Sequence, residues 1–396
     1  MAKVLPVLIA SIVIVLVFMI IWSQRGDPMD RPDEKKLVRE KDPAPAPPEK
    51  DPKIEAELAA KREKIRLSFV PGEKKILESL KTWPGKGKGE NGEIAIIPVD
   101  GRLIAYSPQK SLLAVAAFPP LSPVRIYDLS AQKEILALQV SISHVADLDF
   151  SPDGSLLAIF GNSGFPTVEI WDVKEGKKTN GRGGLGAVFA PNGQLAIPMM
   201  TRKLVFFDPK SKQETQVFQA PPWSPNSEWH FSVRLMPNVA ARGRFVASVI
   251  ESDASYKVIV WESTTERKFR ELPVPFARAI TLTPDGWTLG MVQPSKDLNK
   301  LVLWDLEKNK QDTIFETDDT HDVLAQHSLA ISPDGKVLAY NDSHQLLLLD
   351  FPTGKVRHRI EGKVGKQVFS SGGRILAAPL PLGIGFWDVS DLLKKH

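Results

Sequence analysis

The chain has 396 residues, of which 42% are hydrophobic, and its formal net charge at pH 7 is +4. Acidic and basic residues are intermixed along it, so no basic block indicates a nucleic-acid partner. Cysteine is absent, which excludes disulfides, iron–sulfur ligation, covalent haem attachment, a cysteine nucleophile and a lipid-modified cysteine.

Residues 1–3 form a short tail before an apolar segment, Val4 to Trp22, which carries no charge over 19 residues. As a helix this segment would be about 28 Å long, close to the thickness of the hydrocarbon core of a bilayer. It ends in bulky residues without a small-x-small cleavage site, which favours a transmembrane helix over a cleaved signal peptide. We therefore expect residues 4–22 to bind the membrane as a single-pass anchor.

The flanks of the apolar segment give opposing indications of its orientation. Arg25, Arg31 and the lysines after them favour a cytoplasmic C-terminal part by the positive-inside rule. Acidic residues interleave with these cations, however, and a short basic start before an apolar run is typical of segments whose C-terminal side is translocated. We predict an extracytoplasmic C-terminal part, periplasmic if the protein is bacterial, with a cytoplasmic one as the alternative.

Residues 23–92 are charged and rich in proline and glycine, which is typical of a linker. The run from Asp42 to Pro48 predicts an extended spacer. Apolar residues at helical spacing predict a short amphipathic helix at about residues 54–67, which either lies on the folded domain or serves self-association. The alternating glycines of residues 85–92 predict a flexible joint.

From residue 93 to residue 396 the chain has a repeating pattern. Each unit begins with a turn such as Ser332 to Gly335, in which proline presets φ, serine and aspartate bond nearby N–H groups, and glycine accepts a positive φ. Two short apolar runs come next, separated by a polar hairpin. The seven units end at Asp128, Asp172, Asp208, Glu262, Asp305, Asp350 and Asp388. Their mean spacing of about 43 residues is typical of propeller blades of four strands.

An aromatic residue precedes the acidic end of most units, and in four of them it is a tryptophan: Trp171, Trp261, Trp304 and Trp387. On these pairs the chain resembles the WD-repeat β-propeller family, with degenerate repeats. The resemblance implies an all-β fold over residues 93–396: a seven-bladed propeller of four-stranded antiparallel blades. It also implies a protein–protein interaction scaffold, although propellers of this kind serve many unrelated roles.

The last unit ends close to the end of the sequence, so its blade lacks an outer strand. We predict that residues 93–97, which precede the first unit, complete this last blade and close the ring of a monomeric propeller. Another irregularity is the glycine-rich stretch from Gly181 to Gly186, which predicts a thin or irregular blade edge.

An insertion rich in aromatic residues and proline lies between the units that end at Asp208 and Glu262. In a propeller this connection lies on the same face as the second hairpin of each unit. The candidate residues for binding an unidentified protein partner are Trp223, Trp229, Phe231, Phe118, Phe165, Tyr256 and His321. The alternative is that the rings of the insertion cover the thin blade edge.

The sequence predicts no metal and no cofactor. The acidic cluster around His321, with His327 beyond it, could ligate a cation, but its spacing matches no metal motif. No serine-hydrolase elbow, zinc-protease motif, Walker loop or dinucleotide fingerprint is present, so we predict that the protein is not an enzyme. Two alternatives stay open: a hydrolase or ligand-binding protein with a metal or polar site in the central channel, and a component of envelope assembly.

Overall fold

The computed structural model describes residues 73–84, 91–117, 121–199, 203–219, 239–242, 245–252, 255–265, 267–295, 298–318, 328–342, 344–362 and 364–389. All of them belong to the compact unit Glu49–His396. The predicted anchor, the proline-rich spacer and the helix predicted at about residues 54–67 lie outside the described residues. Within the described ranges, no helix is both long and apolar enough to cross a membrane.

Seven antiparallel sheets of four strands form the fold, and each sheet is one blade. Blades 1 to 3 contain, from the innermost strand outwards, β2 (Leu103–Tyr106), β3 (Leu112–Ala116), β4 (Val124–Asp128) and β5 (Lys133–Leu138); β6 (His144–Phe150), β7 (Leu156–Asn162), β8 (Pro166–Asp172) and β9 (Lys177–Gly183); β10 (Val188–Phe189), β11 (Leu195–Pro198), β12 (Lys203–Phe207) and β13 (Glu214–Gln219).

Blades 4 to 6 contain, in the same order, β14 (Val239–Arg242), β15 (Phe245–Ser252), β16 (Ser255–Glu262) and β17 (Arg267–Val274); β18 (Ala279–Leu282), β19 (Thr288–Pro294), β20 (Leu298–Asp305) and β21 (Lys310–Asp318); β22 (Ser328–Ile331), β23 (Val337–Asn341), β24 (Gln345–Asp350) and β25 (Val356–Glu361). Blade 7 contains β26 (Val368–Phe369), β27 (Ile375–Leu380), β28 (Gly383–Asp388) and β1 (Ala95–Ile97). The predicted seven-bladed propeller is thus confirmed.

The innermost strands of successive blades contact one another around the ring, and the last contact joins blade 7 to blade 1. The outermost strand of blade 7 comes from the N-terminal side of the propeller, as predicted. β1 runs antiparallel to β28, with Ala95 opposite Phe386 and Ile97 opposite Ile384. The indole N–H of Trp387 donates to the carbonyl of Asn91 at 3.1 Å, which fixes the chain just before β1. This pairing closes the ring.

The predicted thin blade edge is wrong. The glycine-rich stretch lies partly in β9, a strand of seven residues that pairs with β8 along most of its length, with one bulge. Strand pairing overrides the low strand propensity of glycine here because β8 offers a complete row of backbone partners. Blade 2 therefore has a regular outer strand.

Part of the predicted linker is folded onto the propeller. Residues 73–81 form a helix, α1, with Ile76, Leu77 and Leu80 buried on one face and charged residues on the other. These apolar side chains, together with Trp83, share one hydrophobic cluster with strands of blades 1 and 7. The folded domain therefore includes residues well before the predicted boundary at residue 93, because the joint between blades 1 and 7 buries α1.

The strand order gives the ring two distinct faces. The hairpins between second and third strands lie on one of them, which we call the hairpin face. The turns that connect first to second strands and third to fourth strands lie on the other, the turn face. α1 lies on the turn face, where Ser79 Oγ donates to the carbonyl of Ser130 in the turn after β4 at 3.3 Å.

Candidate interaction surface on the hairpin face

Three large apolar side chains are exposed on the hairpins of three successive blades. Leu382 in blade 7 is 78% exposed, Leu121 in blade 1 is 62% exposed and Phe165 in blade 2 is 75% exposed. Each lies between the second and third strands of its blade, so all three are on the hairpin face. We call Leu382, Leu121 and Phe165 the apolar hairpin surface.

Local backbone conformation contributes to this exposure. Leu121 has a φ of +65°, a left-handed conformation that costs a leucine free energy. Phe165 comes directly after Gly164, whose φ is +93° and which has open space around it. The hairpins therefore turn their apolar side chains to solvent instead of into the blades.

The hairpins of blades 1 and 2 are joined by the loop that connects those blades, residues 139–143. The N–H of Leu121 donates to the carbonyl of Ser143 at 3.2 Å. The N–H of Ser143 donates to Ser163 Oγ at 2.7 Å, and that hydroxyl donates to the carbonyl of Ser141 at 2.9 Å. These bonds hold the segments that carry Leu121 and Phe165 in one arrangement.

A buried carboxylate, that of Glu169, binds the loop at residues 139–143. The side chain of Glu169 in β8 is fully buried and accepts hydrogen bonds from Trp171 Nε1 at 3.0 Å, Lys178 Nζ at 2.9 Å and the hydroxyl of Ser141. Burial alone would raise the pKa of Glu169, but hydrogen bonds from Ser141, Lys178 and Trp171 outweigh it and lower the pKa. The carboxylate is therefore ionised and positions Ser141 through a charge-assisted hydrogen bond.

One further polar contact links blade 7 directly to blade 2. Lys366, just before β26 of blade 7, contacts Asp147 of β6 in blade 2, with 2.5 Å between Nζ and Oδ1. The pair spans the innermost strand of blade 1. Asp147 is almost completely buried, so the contact is shielded from solvent on the carboxylate side.

Of the residues predicted to bind a partner, the structure describes two. Phe165 is exposed on the hairpin face, whereas Tyr256 is half-buried and packs edge-on against Phe276, with 4.9 Å between ring centroids. The other five, Trp223, Trp229, Phe231, Phe118 and His321, lie outside the described residues.

Leu121 and Leu382 are not among the residues predicted from the sequence to bind a partner. A signal was available: each comes directly after a proline within a short hairpin, in Pro120-Leu121 and Pro381-Leu382, where a strand-buried position is not expected.

The aspartates at the unit ends have structural roles. Asp128 Oδ1 accepts the N–H of Ser130 at 2.8 Å, and Asp305 Oδ1 accepts the N–H of Glu307 at 3.0 Å, which caps the turn to the outer strand. Within the described ranges, no three histidine, cysteine, aspartate or glutamate side chains are grouped closely enough to hold a metal ion.

The fold and the closed ring define the class of the protein: it is a seven-bladed β-propeller. No family model matches the chain, and no curated protein matches it. Solved structures of other proteins are similar to it over about three quarters of its length.

Three of these structures are informative. The Kuenenia stuttgartiensis hydrazine synthase structure has a TM-score of 0.57 and 14% identity, over 77% of this chain and 98% of that one. The Cps50 (Swd1) β-propeller domain of Myceliophteria thermophila has a TM-score of 0.53 and 16% identity, over 75% and 99%. A chain of the mitotic checkpoint complex has a TM-score of 0.55 and 16% identity, over 76% and 96%. At these identities the similarity establishes the fold alone.

Proposed function

We propose that the protein is a membrane-anchored scaffold that binds a protein partner through its hairpin face. The observation that carries this proposal is the apolar hairpin surface: three neighbouring blades each expose one large apolar side chain to solvent. Burial of such side chains is the dominant favourable term in protein association.

The polar contacts beneath the surface support a binding role. Hydrogen bonds through the loop at residues 139–143 hold two of the three hairpins in place before any partner arrives. A surface that is ordered in advance loses less conformational entropy on binding and so binds more tightly for the same contact area. One of the similar chains belongs to a structure named as a complex, which agrees with a scaffold role.

The anchor in this proposal is the uncharged segment at residues 4–22, with the propeller on the extracytoplasmic side. Carbonate extraction of membranes, combined with protease treatment of right-side-out membrane vesicles that carry the C-terminally tagged chain, tests both parts. We expect the protein to resist extraction and the tag to be degraded from outside. Release by carbonate would contradict the anchor, and a fully protected tag would contradict the orientation.

The binding surface is tested with a combined variant of the full chain, Leu121→Asn, Phe165→Ser and Leu382→Ser. Asparagine is chosen at position 121 because it adopts a left-handed conformation readily. The control is Ile135→Ser, which removes a side chain that is 43% exposed on the outer strand of blade 1. In crosslinking and quantitative mass spectrometry, proteins captured by the wild type and by the control should be lost from the combined variant. Equal capture by all three chains would exclude this surface as the binding site.

A further inference from the structure

Three blades share one side-chain arrangement in the turn between their first and second strands. In blades 2, 5 and 6 a hydroxyl donates to the carboxylate two residues further on: Ser151 to Asp153 at 2.6 Å, Thr283 to Asp285 at 2.5 Å, and Ser332 to Asp334 at 2.6 Å. The same hydroxyl accepts the N–H five residues on, at 2.9, 3.0 and 2.9 Å. Each of these turns thus contains its own acid.

Blade 7 has the hydroxyl but lacks the acid. Ser370 Oγ accepts the N–H of Ile375 at 3.0 Å, as in the other blades, yet the residue two positions after Ser370 is Gly372. The missing carboxylate comes from α1. Glu73 accepts hydrogen bonds from the hydroxyl of Ser370 and from the N–H of Gly372, the latter at 3.1 Å.

The turn of blade 1 also lacks the acid, but among the described residues no other carboxylate takes its place there. Its turn has Ser107 in the hydroxyl position and Gln109 in place of the acid. The hydroxyl of Ser107 is buried and, within the described part of the chain, has no hydrogen-bond partner. A buried hydroxyl without a partner costs free energy. The pairing in blade 7 is therefore a specific feature of the contact with α1.

The glycine at position 372 is part of the fit. A Cβ atom built on Gly372 would overlap Glu73 Oε2, at a separation that no packed side chain adopts. An aspartate at this position, as in the other turns, would therefore displace the carboxylate of Glu73 from its present position. Glycine leaves room for a carboxylate supplied from outside the turn.

The remainder of α1 fits both sides of the joint between blades 7 and 1. Glu73, Ile76, Leu77 and Leu80 recur at helical spacing, so the acid belongs to the same buried stripe as the apolar residues. At the opposite end of α1, Gln132 Nε2 of blade 1 donates to Thr82 Oγ1 at 2.8 Å and to the carbonyl of Ser79 at 2.5 Å. One helix thus contacts the turn of blade 7 with its acid and the turn of blade 1 with its C-terminal end.

We propose that the turn face of the joint between blades 7 and 1 is a binding site for an amphipathic helix that carries a glutamate in its buried stripe, and that its ligand in this chain is α1. The site has a carboxylate pocket formed by Ser370 and Gly372 and an apolar groove beside it. This inference goes beyond the proposed function, because it concerns the opposite face of the ring and does not depend on any partner of the hairpin face.

The electrostatics of the pocket agree with this arrangement. Burial raises the pKa of Glu73, and hydrogen bonds from Ser370 and from the backbone N–H groups of Gly372 and Arg374 offset part of that rise. Arg374, which also pairs with Asp388, attracts the carboxylate. The phenol of Tyr106 is also close enough to interact with Glu73, and burial together with the charges of Glu73 and Asp128 raises the pKa of Tyr106. Ionisation of the Glu73 carboxyl group therefore depends on these hydrogen-bond donors, because they offset part of the effect of burial.

A double-mutant cycle in the full chain tests the carboxylate pocket. Glu73→Ala and Gly372→Asp are each expected to lower the melting temperature, the first by removing the acid and the second by displacing the Glu73 carboxylate from its hydrogen bonds. The double variant should recover part of the loss, because the introduced aspartate can then accept from Ser370 as Asp334 does from Ser332. The control is Glu78→Ala, which removes an exposed partner of Lys81 and should change little. Losses that simply add in the double variant would overturn the proposal.

Hydrogen exchange in the same variants separates docking from general stability. Glu73→Ala and the double variant should both increase exchange in α1, but only Glu73→Ala should increase it in the turn of blade 7. Unchanged protection of α1 in Glu73→Ala would show that the acid does not hold the helix.

The exchangeability of the ligand is tested with a labelled synthetic peptide of residues 73–84 in fluorescence polarisation. The full-length variant Leu77→Asp should release α1 and bind this peptide, while the wild type, whose site is occupied, should not. A Glu73→Ala peptide should bind about tenfold more weakly, the effect expected for hydrogen bonds to a charged group. If Leu77→Asp does not fold, Leu80→Ala replaces it. A folded variant that binds neither peptide, or both equally, would overturn the proposal.

Discussion

The turns of blades 6 and 7 have the same backbone and different sources for their acid. In blade 6 the glycine Gly335 has a φ of +70°, and in blade 7 Gly373 has a φ of +80°. Both turns place a serine hydroxyl between a carboxylate and the N–H of the next strand. In blade 6 that carboxylate is two residues away, whereas in blade 7 it is Glu73, almost three hundred residues earlier in the chain.

The turn of blade 6 is therefore formed by residues that are close together in sequence, whereas the turn of blade 7 is not. Blade 7 takes both its outer strand, β1, and its turn acid from the N-terminal side of the propeller. These contributions make closure of the ring depend on residues far apart in sequence, so the last blade forms only when both ends of the domain are present.

The largest effect on blade 7 should come from shortening a buried side chain of α1, the helix that supplies the acid of its turn. Leu80 is fully buried between blades 7 and 1, so Leu80→Ala should lower the free energy of unfolding by about 2–5 kcal/mol. The matched control Lys81→Ala, on the exposed face of α1, should change it by less than about 0.5 kcal/mol. Urea denaturation measures both. Equal effects would mean that α1 does not stabilise the ring.

Removal of the serine hydroxyl should affect both turns but spread further in blade 7. Ser332→Ala and Ser370→Ala should each cost about 1–3 kcal/mol, because a carboxylate and an N–H lose a partner. Hydrogen exchange should show loosening of the local turn in Ser332→Ala. In Ser370→Ala it should also show loosening of α1. If α1 stays equally protected in both variants, the two turns are equivalent after all.

Two acids should contribute to stability with opposite pH dependence: Asp153, which lies within the turn that it stabilises, and Glu73, which comes from α1. The pKa of Glu73 is raised above its ordinary value of 4.5, so the folded state holds the proton more tightly than the unfolded state. Its contribution to stability is thus greatest below pH 4.5 and decreases as the pH rises through the raised pKa. Burial alone would raise the pKa of Asp153, but hydrogen bonds from Ser151 and Ser155 lower it from 3.8 to about 2. The stabilisation by Asp153 is present above pH 3.8 and is lost as the pH falls towards 2.

Melting temperatures of Glu73→Gln, Asp153→Asn and the wild type between pH 2 and pH 7 measure these contributions. Relative to the wild type, Glu73→Gln should become more favourable with rising pH and Asp153→Asn less favourable. If the melting temperatures of the two variants, relative to the wild type, changed with pH in the same direction, the proposed difference between Glu73 and Asp153 would be contradicted.

The smallest effect on stability should come from the hairpin face. The exposed side chains of Leu121, Phe165 and Leu382 contribute little to the core, so their combined replacement should change the free energy of unfolding by less than about 1 kcal/mol. Thermal denaturation measures this. A larger loss would mean that these residues serve the fold, and would weaken the case for a binding surface.

The repeating part of the fold could be predicted from the sequence because each unit carries its own signals. The turn from Ser332 to Gly335 and the two apolar runs after it are local, and seven such units are visible as a period. Closure by residues 93–97 was also predictable, because a unit without an outer strand needs one from elsewhere.

The candidate site was only partly predictable. Phe165 was expected on the hairpin face and is exposed there, whereas for Leu121 and Leu382 the sequence offers only the proline that precedes each of them. Their exposure depends on hairpin conformation, which includes a left-handed leucine that no composition signal indicates. In the same way, β9 forms across a glycine-rich stretch because a neighbouring strand is available to pair with it.

The sequence by itself determined the seven blades, since turn chemistry and strand periodicity act over a few residues and recur along the chain. Only the tertiary structure decided the role of α1. Glu73 resembles any charged residue of a linker, and the serine that binds it becomes its neighbour only after the ring has closed. Contacts between residues distant in sequence leave no local pattern, because the surface that each side recognises exists only in the folded ring.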